Sequence, residues 1–138
     1  MFGRAPKPTT IYVFGKTDLG RTREHNEDHF LVADLSRQEA SLLPQVREHV
    51  VGDHGSLFVV ADGMGGAAAG ELASEMATDT IYAHMLKAWS EEKEPTSQRF
   101  AYRLREAVEA ANSNIHSYAA AHPEVRGIHF ETNCGQTA

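Results

Sequence analysis

A chain of 138 residues has the length of one domain with its own core, and 41% hydrophobic and 23% charged residues exclude a disordered or a membrane-embedded protein. A net charge of −6 excludes the basic face that a nucleic-acid partner demands, and it turns any phosphate chemistry toward metal cations. The single cysteine, Cys134, excludes an intrachain disulfide and fits a reducing compartment.

Residues 1–10, MFGRAPKPTT, lack the apolar core and cleavage site of a signal peptide and read as a flexible leader, so a cytoplasmic location without membrane contact is expected. One domain is expected over 11–138. Three segments rich in β-branched and aromatic residues predict strands: Ile11 to Phe14, Phe30 to Asp34 and Leu57 to Ala61. The polar stretch from Ser36 to Gly55 separates the last two, with a short helical piece expected around Leu42 to Glu48. After a glycine cluster, Ala73, Ala77, Ile81, Met85 and Ala88 mark the buried stripe of a helix over about 69–89, ended by the polar run Ser90 to Thr96. A second helix is expected over about 97–121, with Ala101, Leu104, Val108, Ala111, Ile115 and Tyr118 inward and Pro123 as its stop. Small residues on both stripes predict an antiparallel helix pair against a sheet. A further strand is expected to be starting at Gly135-Gln136-Thr137-Ala138.

Two clusters carry chemistry. The first is Arg23 to Asp28, where Asn26, Glu27 and Asp28 lead into the second strand. Successive side chains of a strand point to opposite faces, so Glu27 and Asp28 are directed apart. Arg23 offers a planar, permanently charged fork suited to a phosphate dianion. A solvated charged loop is the plainer reading of the same residues. The second cluster, Asp62-Gly63-Met64-Gly65-Gly66, follows an apolar strand. A carboxylate there, with a glycine whose carbonyl can come close, suits a hard cation such as Mg²⁺ or Mn²⁺. Two alternatives stay open at this point: a glycine turn capped by Asp62, and a dinucleotide-binding fingerprint, since Gly63 to Ala68 fits GxGxxA between a strand and a helix.

Thr17-Asp18-Leu19-Gly20-Arg21-Thr22-Arg23 with Asn26-Glu27-Asp28, then Val59-Val60-Ala61-Asp62-Gly63-Met64-Gly65-Gly66 with Gly70-Glu71 and Ala73-Ser74, and finally Gly135-Gln136-Thr137-Ala138, occur in this order. Together they resemble the PP2C or PPM family of metal-dependent serine/threonine protein phosphatases, in particular its bacterial branch. The resemblance implies an α+β fold in α-β-β-α layers, a β-sandwich flanked by helix pairs, of which only the N-terminal half is expected here. It implies two Mn²⁺ or Mg²⁺ ions, with Asp62 bridging them and the Gly63 carbonyl binding one. Glu27 would support that metal directly or through water, Asn26 and Asp28 would stand in the surrounding hydrogen-bond shell, and Arg23 would hold the substrate phosphate. The implied reaction is attack of a metal-activated water on phosphoserine or phosphothreonine of protein substrates, opposing a serine/threonine kinase in signalling. Gln136 departs from the threonine usual in the third motif, and Ala67 from the frequent histidine of the second. The family's later metal-binding aspartates are not among these residues, so an incomplete chain, inactive alone, is expected. A pseudophosphatase or binding module is the non-enzyme alternative.

Overall fold

Apolar runs at 30–33 and 57–61, rich in β-branched and aromatic residues, build two central strands whose alternate residues face a core. The computed structural model describes residues 8–16, 18, 20, 26–40, 48–65, 67–125 and 127–137. In chain order the elements are β1 (Thr10–Tyr12), β2 (Asp28–Asp34), β3 (Glu39–Ala40), β4 (Glu48–Val50), β5 (Ser56–Met64), α1 (Ala67–Ser90), α2 (Ser97–Ala121), a single 3-10 turn (Pro123–Val125) and β6 (His129–Thr137). A four-stranded sheet has the order β3-β2-β5-β6, and β1 pairs with β4 in a two-stranded sheet; all these pairings are antiparallel.

Leu31, Ala33, Leu57, Val59 and Ala61 fill the inner face of the larger sheet. Helix α1 lies on that face through Ala73, Ala77, Ile81, Met85 and Trp89, and α2 packs behind it through Phe100, Ala107, Ala111, Ile115 and Ala119. Trp89 closes one end of the core. Its ring meets Phe100 edge-on at 5.2 Å, and its indole N–H donates to the His54 carbonyl at 2.7 Å. The outer face of the same sheet carries Phe30, Val32, Phe58 and Val60, the last 56% exposed, and an open apolar groove of about 420 Å³ runs between these residues and the segment Val13–Lys16.

Local chemistry sets the ends. The Asp34 carboxylate accepts the N–H groups of Ser36 (2.9 Å) and Arg37 (3.0 Å), which turns the chain from β2 into β3. Thr96 caps α2 by accepting the Arg99 N–H at 3.2 Å, and Pro123 follows its last turn. Among the described residues, no helix is long and apolar enough to cross a membrane.

Several expectations need correction. Strand β5 runs three residues past Ala61, so Asp62 and Gly63 sit inside the strand, and β2 starts at Asp28 rather than Phe30. The first strand spans Thr10–Tyr12, not Ile11 to Phe14. Of the helical piece expected at Leu42 to Glu48, residues 42–47 lie outside the described residues and Glu48 opens β4. Trp89 rather than Ala88 completes the α1 stripe, because a bulky apolar ring one turn beyond Met85 takes the buried position. On α2, Ala101 is exposed and Phe100 is buried, since the helix is rotated to bring Phe100 onto Trp89. Gly135 falls near the end of β6, not at a strand start, because β6 pairs with the whole length of β5.

Candidate metal centre

The Asn26 side-chain oxygen accepts the Asp28 N–H at 3.0 Å and so fixes the turn into β2. One residue along, the Gly63 N–H donates to the Glu27 carbonyl at 2.9 Å. That bond makes 27 and 63 a hydrogen-bonded pair across β2 and β5. Asp28 and Asp62 form the next, non-hydrogen-bonded pair, in which Cα atoms approach to about 4.5 Å and side chains come closest. On the far side of β5, Asp62 is in register with Glu131 of β6. Three carboxylate side chains therefore line one row across three neighbouring strands, all exposed on the outer face of the sheet.

Glu27 points the other way, toward α1. Its Cδ lies 2.8 Å from where a Cβ on Gly70 would stand, and the Gly63 carbonyl oxygen lies 2.9 Å from the same point. A carboxyl group and a backbone carbonyl thus share the small space that Gly70 leaves by having no side chain. The converse holds too: a Cβ on Gly63 would fall inside the Gly70 carbonyl. Helix and strand can touch here only because both residues are glycine. One helical turn further, the buried Ser74 hydroxyl lies 3.0 Å from the Glu71 carbonyl and 3.3 Å from His29 Nδ1.

The donors are carboxylates and a carbonyl, the oxygen set that hard divalent cations take. They suit Mg²⁺ or Mn²⁺ in kind. They are short in number. Among the described residues no three His, Cys, Asp or Glu side chains converge closely enough to hold one ion by themselves. Arg23 lies outside the described residues.

A family model described as Protein phosphatase 2C matches residues 31–132. The chain belongs to the protein phosphatase 2C family. It is 32% identical over 114 residues to the serine/threonine phosphatases named stp of Listeria monocytogenes serovar 1/2a and Listeria welshimeri, a match covering 82% of this chain and 37% of each relative. The structure superposes on the Mycobacterium tuberculosis serine/threonine phosphatase PstP/Ppp with a TM-score of 0.61 at 29% identity, covering 94% of this chain and 43% of that one. A second structure, the catalytic domain of PstP in complex with two manganese ions, gives a TM-score of 0.61 at 28% identity and covers 45% of that chain. This phosphatase 2C chain accordingly spans less than half the length of the relatives it matches.

The phosphatase 2C fold also removes the dinucleotide alternative. A GxGxxA fingerprint needs a strand, a helix and then a parallel strand. Here two helices follow β5, Gly63 lies within the strand, and β6 returns antiparallel. Burial pushes the Cys134 thiol upward, away from the thiolate form, despite a hydrogen bond with Thr132 that acts the other way. Sequence reasoning passed over Glu131 and the role of Gly70, and it set His29 aside because its spacing from His25 makes no shared face at a strand entry. The alternation in 129–134 could have placed Glu131 on the outer face, but only the β5–β6 register puts it opposite Asp62.

Proposed function

We propose that these residues carry part of the two-metal centre of a protein serine/threonine phosphatase, which acts on phosphoserine and phosphothreonine in the cytoplasm and opposes a serine/threonine kinase in signalling. The observation that supports the reading most is the cross-strand pair Asp28–Asp62, with the Glu27 carboxyl and the Gly63 carbonyl one position along the same strands on the α1 side, in a chain of the phosphatase 2C family. Asp62 would bridge two Mn²⁺ or Mg²⁺ ions, the Gly63 carbonyl and Glu27 would serve one of them, and Asp28 and Asn26 would orient the carboxylates from the next positions. When bound, the cations would lower the pKa of a water and neutralise charge on the phosphoryl oxygens.

The chain's own residues supply the rest. The register of two central strands holds Asp28 and Asp62 on one face of the sheet. Asn26 holds the backbone of Asp28. Arg23 would grip the substrate phosphate through two parallel N–H bonds. An acidic protein can in this way accept a dianionic substrate, and neither nucleic acid nor a membrane is needed as partner. The activity is assigned to the domain of which these 138 residues are a part, because its donors are fewer than two ions require.

The test is phosphate release from a phosphothreonine peptide by the full-length product of the reading frame. Release should depend on Mn²⁺, stop with EDTA, vanish in Asp62→Asn and weaken in Arg23→Ala. Undiminished release by Asp62→Asn would refute the assignment. A product that takes up Mn²⁺ yet releases no phosphate would establish the binding-module alternative instead.

A further inference from the structure

Gly70 and Ser74 are one helical turn apart, so they share a face of α1. Below them, positions 27 and 29 of the neighbouring strand share a face as well, as do 63 and 61. Four helical residues advance about 6 Å and two strand residues about 6.7 Å, so the two repeats stay in step over one turn. Gly70 therefore sits over the pair Glu27–Gly63, and Ser74 over the pair His29–Ala61. At the first level the contact is steric. At the second it is polar, and it is sealed: Ser74 has no exposed surface.

The direction of that polar contact follows from counting protons. A serine hydroxyl has one proton, and Ser74 gives it to the Glu71 carbonyl at 3.0 Å. The approach of His29 Nδ1 to the same oxygen at 3.3 Å then fits the tautomer in which the ring donates. His29 Nδ1–H to Ser74 Oγ is a bond from β2, two residues after Glu27, to α1, four residues after Gly70. It spans the layer at the level next to the candidate metal centre.

We propose that His29 and Ser74 are positioning residues, a latch that holds the first turns of α1 at the height where the Glu27 carboxyl and the Gly63 carbonyl lie together. The proposal rests on the metal-centre reading. Neither residue touches the ion or the substrate. Their action is transmitted through the rigid helix to Gly70, whose backbone is wedged between the two oxygen donors.

The test compares Mn²⁺ affinity, read by electron paramagnetic resonance of the free ion, in the full-length product and its variants. Ser74→Ala deletes the acceptor, and His29→Leu and His29→Gln delete or displace the donor. His29→Asn keeps an N–H close to the place of Nδ1. Trp89 fluorescence reports in each case that the core is formed, and its urea midpoint without metal measures the purely structural cost. Ser74→Ala, His29→Leu and His29→Gln should each bind Mn²⁺ about tenfold more weakly, and His29→Asn should stay within threefold of the parent. The double variant His29→Leu/Ser74→Ala should be no weaker than either single change, because one bond is lost in all three. Folded variants with lowered midpoints but parental Mn²⁺ affinity would overturn the latch and leave the metal centre standing. A parent protein that takes up no Mn²⁺ would overturn the metal-centre reading and the latch with it.

Discussion

Replacing Gly70 by alanine puts the close packing of α1 on β5 to a direct test. In an ordinary helix this change is favourable by about 0.5–1 kcal/mol, because glycine loses more backbone freedom on folding. Gly70 has helical backbone angles, so alanine meets no conformational penalty of its own there. The contact decides the outcome. The new methyl would stand 2.8 Å from Glu27 Cδ, 3.1 Å from Glu27 Cγ and 2.9 Å from the Gly63 carbonyl oxygen. Glu27 is a flexible side chain and can swing away, but the Gly63 oxygen is backbone inside a paired strand and cannot. Overpacking of this kind costs about 1–3 kcal/mol, so the net expectation is a loss of about 1 kcal/mol, or roughly 4 °C in Tm. Urea unfolding followed by Trp89, the single tryptophan, reads the change directly. A midpoint that rises, as it would for a glycine in open space, would refute the argument that α1 is wedged against the donors.

Further outcomes follow from the packing and the charges. Phe100→Ala removes the ring packed edge-on against Trp89 and should cost about 3–5 kcal/mol, visible as an earlier urea transition and a red-shifted tryptophan emission. Glu92 receives hydrogen bonds from Arg99 (3.2 Å) and Arg103 (3.3 Å), which hold its carboxyl below the usual 4.5. A depressed carboxylate contributes stability above its unfolded value and loses it as pH falls through the folded one, so the α1–α2 connection should loosen below about pH 4.5. Glu92→Gln should abolish that step, and salt should weaken it in the parent, as hydrogen exchange of the helix ends would record. Cys134, its thiol raised by burial, should react with iodoacetamide at pH 8 far more slowly than a free cysteine and reach the free rate only in urea.

Much of the fold was legible because it rests on local pattern. Helix α2 was expected over the residues it occupies, since its apolar spacing and Pro123 are written within or beside it. Four of the five residues expected to face inward on α1 do so with no exposed surface. Phase was harder than extent. The choice between Ala88 and Trp89, or Ala101 and Phe100, depends on which ring finds which partner across two helices, and that is not a local property. Strand ends were missed for a similar reason: Asp62 and Gly63 resemble a turn by composition, yet pairing with Asp28 and Glu27 on one side and Glu131 and Phe130 on the other keeps them extended. The candidate site divides in the same way. Asp62 and Glu27 stood out by type and spacing, whereas Glu131 and the His29–Ser74 bond exist only once distant segments are brought together.

The return of β6 to β5 across the whole helical hairpin sets an order of events during synthesis. Strands β2 and β5 can zip together as soon as both have left the ribosome, bringing Asp28 beside Asp62 early. Strand β6 emerges only after α1 and α2, and its pairing must close a long loop that two preformed helices shorten. Until then one flank of β5 is an open edge, with unsatisfied N–H and C=O groups next to an apolar outer face. The nascent chain thus passes through a stage in which two of the three carboxylates of its acidic row are assembled and its central strand is adhesive. In that interval the exposed Asp62 carboxylate would work as a safeguard, since a charged side chain on the strand disfavours pairing with another copy of itself.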